Sequence, residues 1–333
     1  LMSIDPATVP LQPWAGQLTD DPQRMPWAMP GGPDADLAWA ADVLRDQGMA
    51  RTGPPEQIRS WNLSSLWRLP TTGGEAWLKV VPPFFGHEGA ILERLAGGPV
   101  PSLLGHDGAR VILAGIPGED QYDAPLPSLH ALVDILVAIQ VAWLGRADAL
   151  LAVGLPDWRG ASLTEAITDL VARAGHRVSG DDRTTLAGFV DGLPERFERI
   201  ADCGLGDGLV HGDCHPGNVR GHESDLVLLD WGDCGVGHPL LDMPGFLDRI
   251  AAEHVAPVRD RWLTRWRDIV PGSDPERAAA LIAPVAAARQ ALIYQRFLDG
   301  IESSEHPYHQ ADVPDWLGRT ARLVRSERPR TNG

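Results

Sequence analysis

The chain has 333 residues, of which 44% are hydrophobic and 22% charged, with a formal net charge of −16. That length suits one large or two modest domains, and the acidic balance, without any Lys/Arg block, argues against a nucleic-acid partner. Three cysteines (Cys203, Cys214, Cys234) forming no C-x-x-C pair, no secretory signal and no apolar run long enough to span a bilayer predict a soluble, cytoplasmic protein with no membrane partner.

Residues 1–34 read as an irregular extension, because prolines at 6, 10, 13, 22, 26, 30 and 33 prevent regular helix, while Trp14 and Trp27 could pin the segment onto a folded body. An amphipathic helix is predicted over 36–47, with Leu37, Ala40, Val43 and Leu44 on one face. Strands are predicted over 58–61, 66–69 and 76–81, with a Thr71-Thr72-Gly73-Gly74 turn between the second and third. A helix over 86–96 carries Ile91, Leu92 and Leu95, and two more strands follow over 102–105 and 111–115. Beyond 115–120 the pattern turns helical. A helix is expected over 128–144, one opened by a capping box at Ser162-Leu163-Thr164-Glu165, and one over 183–200 bent at Pro194. A strand-loop-strand island at 209–230 interrupts them. Helices then run from 241 to 325, including 274–298 with a kink at Pro284. The expected division is 1–34, a sheet-rich lobe at 35–117 and a helix-rich lobe at 118–333.

The chemistry concentrates in that island. It reads His211-Gly212-Asp213-Cys214-His215-Pro216-Gly217-Asn218, followed by an apolar strand that delivers Asp230. A carboxylate facing a substrate hydroxyl, with an amide and a second carboxylate holding Mg²⁺ on nucleotide phosphates, is what a kinase-type phosphotransferase needs. Asp213 is therefore the candidate base, and Asn218 and Asp230 the candidate metal ligands, since magnesium prefers hard oxygen donors. His211 reads as structural, tying the loop backbone to the Asp230 region. His215 either touches the transferred phosphoryl group or is packed and inert. Lys79 stands among apolar neighbours in a strand. It is the candidate phosphate-binding ammonium, with Glu88 as its carboxylate and Glu93 as the competitor. The 61–66 loop contains Asn62, Ser64 and Ser65, small polar groups able to offer donors to phosphate, although a plain hairpin turn would look the same.

Together these residues resemble the aminoglycoside phosphotransferase family, a branch of the protein-kinase-like superfamily. The shared features are the His211–Asn218 loop, Leu229-Asp230-Trp231, and Gly237-His238-Pro239-Leu240-Leu241-Asp242. The resemblance implies an α+β, bilobal protein-kinase-like fold, with a small five-stranded antiparallel N-lobe, a mainly helical C-lobe and ATP between them. It further implies that Asp242 braces the helical lobe and that adenine bonds the backbone near Ala114 to Ile116. ATP is the expected donor, with GTP as the other candidate, and Mg²⁺ the expected cofactor. Only residues 231–241 separate Asp230 from Asp242, which leaves no room for a peptide-docking activation segment. The acceptor is thus a small hydroxylated molecule, such as an amino sugar, an aminoglycoside-like antibiotic or a related metabolite.

Candidate acceptor residues are Asp248, Glu253, His254, Trp262, Trp266, Gln290 and Tyr294. The acids would suit a cationic group, and the tryptophans a sugar face or a macrolide-like surface; core tryptophans and solvated acids are the plainer alternative. Two rival readings are a nucleotide-binding pseudokinase module and a metal-dependent phosphohydrolase using His211, His215, His222 and His238.

Overall fold

The computed structural model describes residues 23–222 and 225–327. They form two compact units, residues up to 117 with 296–308, and residues 118–295 with those from 309 onward.

In the first unit a 3-10 turn, Pro26–Ala28, leads into α1, Gly32–Asp46. The helix starts upstream of the expected residue 36 because Pro33 falls in its first turn, where a missing N–H costs nothing. Trp27 is 1% exposed, and its indole N–H donates to the Trp61 carbonyl at 2.9 Å. The part of the 1–34 extension that the structure describes is therefore core-forming, while Trp14 and the rest of 1–22 lie outside the described residues. Then come β1 (Glu56–Ser60), β2 (Ser65–Thr71), β3 (Gly74–Val80), the short α2 (Glu88–Arg94), β4 (Leu103–Asp107) and β5 (Arg110–Ala114). The five strands make one antiparallel sheet in the order β1-β2-β3-β5-β4. Strand alternation sends Trp67, Leu69, Ala76, Leu78, Val80 and Ile112 into one core with Trp27, Ala40 and Leu44. Lys79 necessarily points to the other face. Residues 296–308 join this unit: Phe297 lies 5.8 Å from Phe84 and 5.6 Å from Phe85 between ring centres, and Arg24 pairs with Glu302.

The second unit is mainly helical. Its elements are β6 (Glu119–Asp120), α3 (Leu126–Ala142), α4 (Ala147–Leu151), β7 (Asp157–Trp158), α5 (Gly160–Ala174), α6 (Gly180–Asp191), α7 (Leu193–Ala201), β8 (Gly208–Val210), β9 (Val219–His222), β10 (Asp225–Leu228), β11 (Gly235–Gly237), α8 (Asp242–Leu247), α9 (Ala252–Ile269), α10 (Pro275–Gly300) and α11 (Asp312–Glu327). The single bent helix expected over 183–200 is two helices that meet at Gly192, with Pro194 placed in the first turn of the second. Ser162 does not cap α5, which begins at Gly160. Asp157 receives the Arg159 amide just before it. Two small sheets, β10-β9-β6 and β7-β11-β8, carry the segments of interest. Among the described residues no helix is long and apolar enough to cross a membrane.

His238, next to β11, is buried, and its Nδ1 accepts the Leu240 amide at 3.3 Å, which leaves the proton on Nε2. Burial pushes this imidazole down to about 3. Below pH ~6.5 the unfolded chain binds a proton that the folded chain refuses, so stability is complete above that pH and is lost as pH falls toward 3. The unfolding free energy from urea titrations, followed from pH 7 to pH 4, should fall by up to about 1.4 kcal/mol per pH unit from this group. A His238→Asn variant, whose amide can still accept the Leu240 N–H, should show a flatter profile; equal slopes would count against the assignment.

Candidate active site

The segment from β8 to β10 is a strand, a loop and a hairpin. His211 leaves β8 fully buried, and its Nε2 lies 2.9 Å from the Leu229 carbonyl. That contact requires a proton on Nε2, so Nδ1 is free to accept the Asp213 amide at 3.3 Å. Burial lowers the His211 pKa, consistent with this neutral form. The ring also lies 4.5 Å from the Trp231 ring. Through one imidazole, the loop that bears Asp213 is tied to the strand that bears Asp230.

Asp242 grips the same loop from below. Its Oδ2 accepts the His211 amide at 2.9 Å and the Gln140 side-chain amide at 2.9 Å, and its Oδ1 accepts the Gly212 amide at 2.7 Å. Burial pushes its carboxyl up, while His211, these backbone donors and Arg289 pull it back. The carbonyl side of the loop is held by Arg289, which gave no sign in the sequence pattern. Its guanidinium donates to Gly212 O at 3.2 Å and to Asp233 O at 2.9 Å, with Cζ 4.8 Å from the centre of the Trp158 ring.

Asp213 emerges from this frame one-third exposed. The Asn218 amide donates to its carbonyl at 2.8 Å and to its Oδ2 at 3.1 Å. With both donors directed at Asp213, Asn218 Oδ1 is the atom left to face a cation. His215 caps the 216–218 turn, since its Nδ1 accepts the Gly217 amide at 3.0 Å and its Nε2 lies 3.6 Å from Asp213 Oδ2. Asp230 is exposed and sits at φ 60°, ψ 68°, the only positive-φ non-glycine among the described residues. It is placed beside Asn218 by the β9–β10 hairpin, in which the Leu229 amide bonds Asn218 O at 2.7 Å. One exposed carboxylate and one amide oxygen are hard donors of the type Mg²⁺ takes alongside phosphate oxygens, so these residues fit that ion.

In the first unit, Lys79 Nζ meets Glu88 Oε1 at 2.8 Å and Oε2 at 2.7 Å. Glu88 opens α2 and is 2% exposed. Glu93 plays no part in this pair. Gly89 allows the arrangement, because a Cβ there would lie 2.4 Å from His106 on β4, holding α2 away from the sheet.

Several expected residues are placed otherwise. Ser65 is the buried first residue of β2, and its hydroxyl accepts the Trp67 indole N–H at 2.9 Å, so it is a core residue and no phosphate donor. Ser64 accepts the Trp61 indole N–H at 2.7 Å, and the buried Asn62 bonds Glu305. The Ala114 amide is committed to Ser102 O at 2.9 Å, which removes it as an adenine donor; Ile116 lies two residues beyond the end of β5. Trp262 and Trp266 are fully buried on α9, with Trp262 edge-on to Phe246, so neither offers a surface to a ligand. Glu253 is exposed and His254 half-buried at the start of the same helix, and Tyr294 lies 6.1 Å from His309.

Asp248 and Gln290 do line a cavity of about 260 Å³ that opens onto Asp213. Its other walls include Arg249, Trp316 and Arg319, with Ala283, Ala286 and Ala287 of α10 as a small-residue floor. Among the described residues no three His, Cys, Asp or Glu side chains could hold a metal between them, which removes the support for the histidine-based phosphohydrolase reading.

An antiparallel five-strand unit with a Lys–Glu pair, followed by a helical unit with this braced Asp loop, defines a phosphotransferase of the protein-kinase-like fold class. Residues 56–281, well over half of the chain, match the phosphotransferase enzyme family, and the chain belongs to that family. No curated protein sequence matches the chain. Among solved structures, a choline/ethanolamine kinase family protein from Mesorhizobium loti is 15% identical with a TM-score of 0.62, over 89% of this chain and 95% of that one. The macrolide 2'-phosphotransferase MphH from Brachybacterium faecium is 18% identical with a TM-score of 0.55, over 83% and 98% respectively. A thermostable mutant of the aminoglycoside phosphotransferase APH(4)-Ia, in ternary complex with ADP and hygromycin B, is 18% identical with a TM-score of 0.53, over 86% and 98%. At such identities the likeness establishes the shared fold.

Gly212 carries the tightest steric demand of the loop. It has φ 88°, and an added Cβ would lie 2.0 Å from Asp233 O and 2.6 Å from Arg289 Nη2. Gly212→Ala should cost about 2–4 kcal/mol from backbone strain and overpacking combined. Chemical denaturation measures this; an unchanged midpoint would mean that the loop is far softer than its contacts imply.

Proposed function

We propose that this phosphotransferase moves the γ-phosphoryl group of ATP to a hydroxyl of a small molecule. The observation that carries the reading is Asp213. It is a partly exposed carboxylate, fixed by Asn218 on a loop whose amides are held by Asp242 and whose carbonyl is held by Arg289, and it faces a cavity of small-molecule size.

In this reading Asp213 accepts the hydroxyl proton as the acceptor oxygen attacks phosphorus. Asn218 keeps the carboxylate turned toward the acceptor. His215, capped onto Gly217 and too far from Asp213 for a hydrogen bond, positions the loop and does not transfer the proton. Asn218 Oδ1 and Asp230 would hold Mg²⁺, which when bound neutralises charge on the nucleotide phosphates. Lys79 supplies the ammonium for those phosphates. Glu88, buried beside it, holds it in place. Residues 114–116 remain the proposed adenine-binding stretch, now without the Ala114 amide. The presence of Lys79, Asp213, Asn218 and Asp230 together favours turnover over a pseudokinase.

Asp213→Ala should lower kcat by roughly 100- to 10,000-fold while nucleotide affinity changes little. Lys79→Ala should weaken nucleotide binding and lower kcat together. Phosphoryl-transfer assays combined with calorimetric nucleotide titration on both variants decide the matter. Full transfer by Asp213→Ala would remove the base assignment.

A further inference from the structure

The cavity in front of Asp213 carries an unusual set of charges for so acidic a chain, which has 45 Asp and Glu against 29 Lys and Arg. Its walls hold three arginines, Arg249, Arg289 and Arg319, and three aspartates, Asp213, Asp242 and Asp248. The aspartates are already engaged. Asp242 spends both oxygens on His211, Gly212 and Gln140. Asp248 has Arg319 on Oδ1 at 2.8 Å and on Oδ2 at 2.6 Å. Asp213 is needed for the acceptor hydroxyl. A cationic group on the acceptor would therefore find no carboxylate to pair with. Nor is an aromatic face open to it, since Arg319 already covers the Trp316 ring at 4.9 Å and Trp262 and Trp266 are buried.

One arginine, Arg249, is in the opposite state. Arg249 reaches no closer to an acid than 3.9 Å, from Nη2 to Asp213 Oδ1, which is beyond hydrogen-bond range, and its side chain is half exposed. Arg289 is 2% exposed and uses its two terminal nitrogens on carbonyl groups, and its buried Nε–H has no hydrogen-bond partner. The volume of about 260 Å³ lies at the small end of ligand pockets, and the alanine floor adds room without polar specificity. A single sugar-sized molecule fits such a space.

We infer that the acceptor is a small hydroxy acid whose carboxylate is held by Arg249 while its hydroxyl faces Asp213. This rests on the phosphotransferase reading above and replaces the cationic acceptor expected from the acidic candidates. The short separation of the Arg249 guanidinium from Asp213 sets the spacing. The hydroxyl that is phosphorylated lies within a few bonds of the carboxylate, because both groups must be reached at once. A guanidinium suits the carboxylate because it offers paired N–H donors in one plane.

The test uses two matched sets, glycerate, glycerol and aminopropanediol, and gluconate, sorbitol and glucamine. Each compound is assayed for ATP-dependent phosphorylation by the full chain and, separately, for binding by calorimetry in the presence of a non-hydrolysable ATP analogue. The carboxylates should be preferred in both measurements. Arg249→Gln should raise KM for them by about 10- to 100-fold, the scale of one charge-assisted hydrogen bond, with kcat less affected. Arg249→Lys should recover part of the loss. Preference for the amines or the neutral alcohols, indifference to Arg249→Gln, or failure of both carboxylates to bind would each overturn the inference. Carboxylate binding that depends on Arg249 without any transfer would sustain it and would instead count against the phosphotransferase reading.

Discussion

The buried carboxylate of Asp242 is the constraint on which the catalytic segment depends. Two successive backbone amides, His211 and Gly212, converge on its two oxygens, which is possible only if the chain turns sharply there with a positive φ at Gly212. The reversed peptide then turns the Gly212 carbonyl toward Arg289 of α10, which also takes the Asp233 carbonyl from the 231–233 turn. One buried anion takes the amides and one buried cation takes the carbonyls. Neither charge is neutralised mainly by the other; both are solvated by peptide dipoles. Such an arrangement is costly to assemble, since buried ions lose their hydration. What it yields is a loop with very few alternative conformations, because every departure leaves an ion without partners.

The consequences reach Asp230 by way of a neutral imidazole. His211 can donate to Leu229 and accept from Asp213 only in its neutral form, and burial enforces that form. The residue after Leu229 is then held in a left-handed conformation that ordinarily costs a non-glycine residue about 1–2 kcal/mol. Neighbouring bonds hold it there: Leu229 N–H to Asn218 O, and the Trp231 indole to Leu228 O. The strain directs an exposed carboxylate while Leu228 and Trp231 on either side stay in the core. In the first unit the corresponding problem is solved more simply. Lys79 projects from the face opposite the hydrophobic core, and one buried glutamate, brought close by Gly89, fixes it.

Much of this was legible in the sequence because it is local. Short strand signals parted by the 71–74 turn marked β2 and β3, Lys79 stood out among apolar neighbours, and the His211–Asn218 run with Asp230 marked a loop and hairpin whose parts are near neighbours in the chain. What escaped has two physical causes. Arg289 acts on residues 77 and 56 positions away, and a helical arginine among alanines carries no mark of such a role. Trp262 and Trp266 follow the plainer of their two readings: residue type left a ligand surface open, but Val258, Trp262, Leu263 and Trp266 recur at helical spacing and are the buried stripe of α9. Ser65 is a similar case, since it reads as part of a polar loop but begins a strand and points inward. The capping box at Ser162 lost to Asp157, which captures the Arg159 amide before the serine is reached.

The two parts of the second-unit site differ in rigidity. Asp213 stands on a loop fixed by ions, a neutral histidine and a glycine that tolerates no side chain. The acceptor cavity is built from α8, α10 and α11, where alanines leave space and long side chains supply the contacts. Arg249 and Arg319 are both surface-reaching; Arg319 is bound to Asp248 at 2.6 Å, whereas Arg249 stands 3.9 Å from Asp213. A change at any member of the loop alters several hydrogen bonds together, whereas a change at position 249 or 319 alters one end of the cavity. On the proposed reading, the braced loop serves the chemistry and a few exposed side chains on helices after Asp242 serve selectivity, so the two are mechanically separable. For that reason the charge of the acceptor is better read from the state of Asp248 and Arg249 than from the likeness of the whole fold to enzymes that act on other compounds.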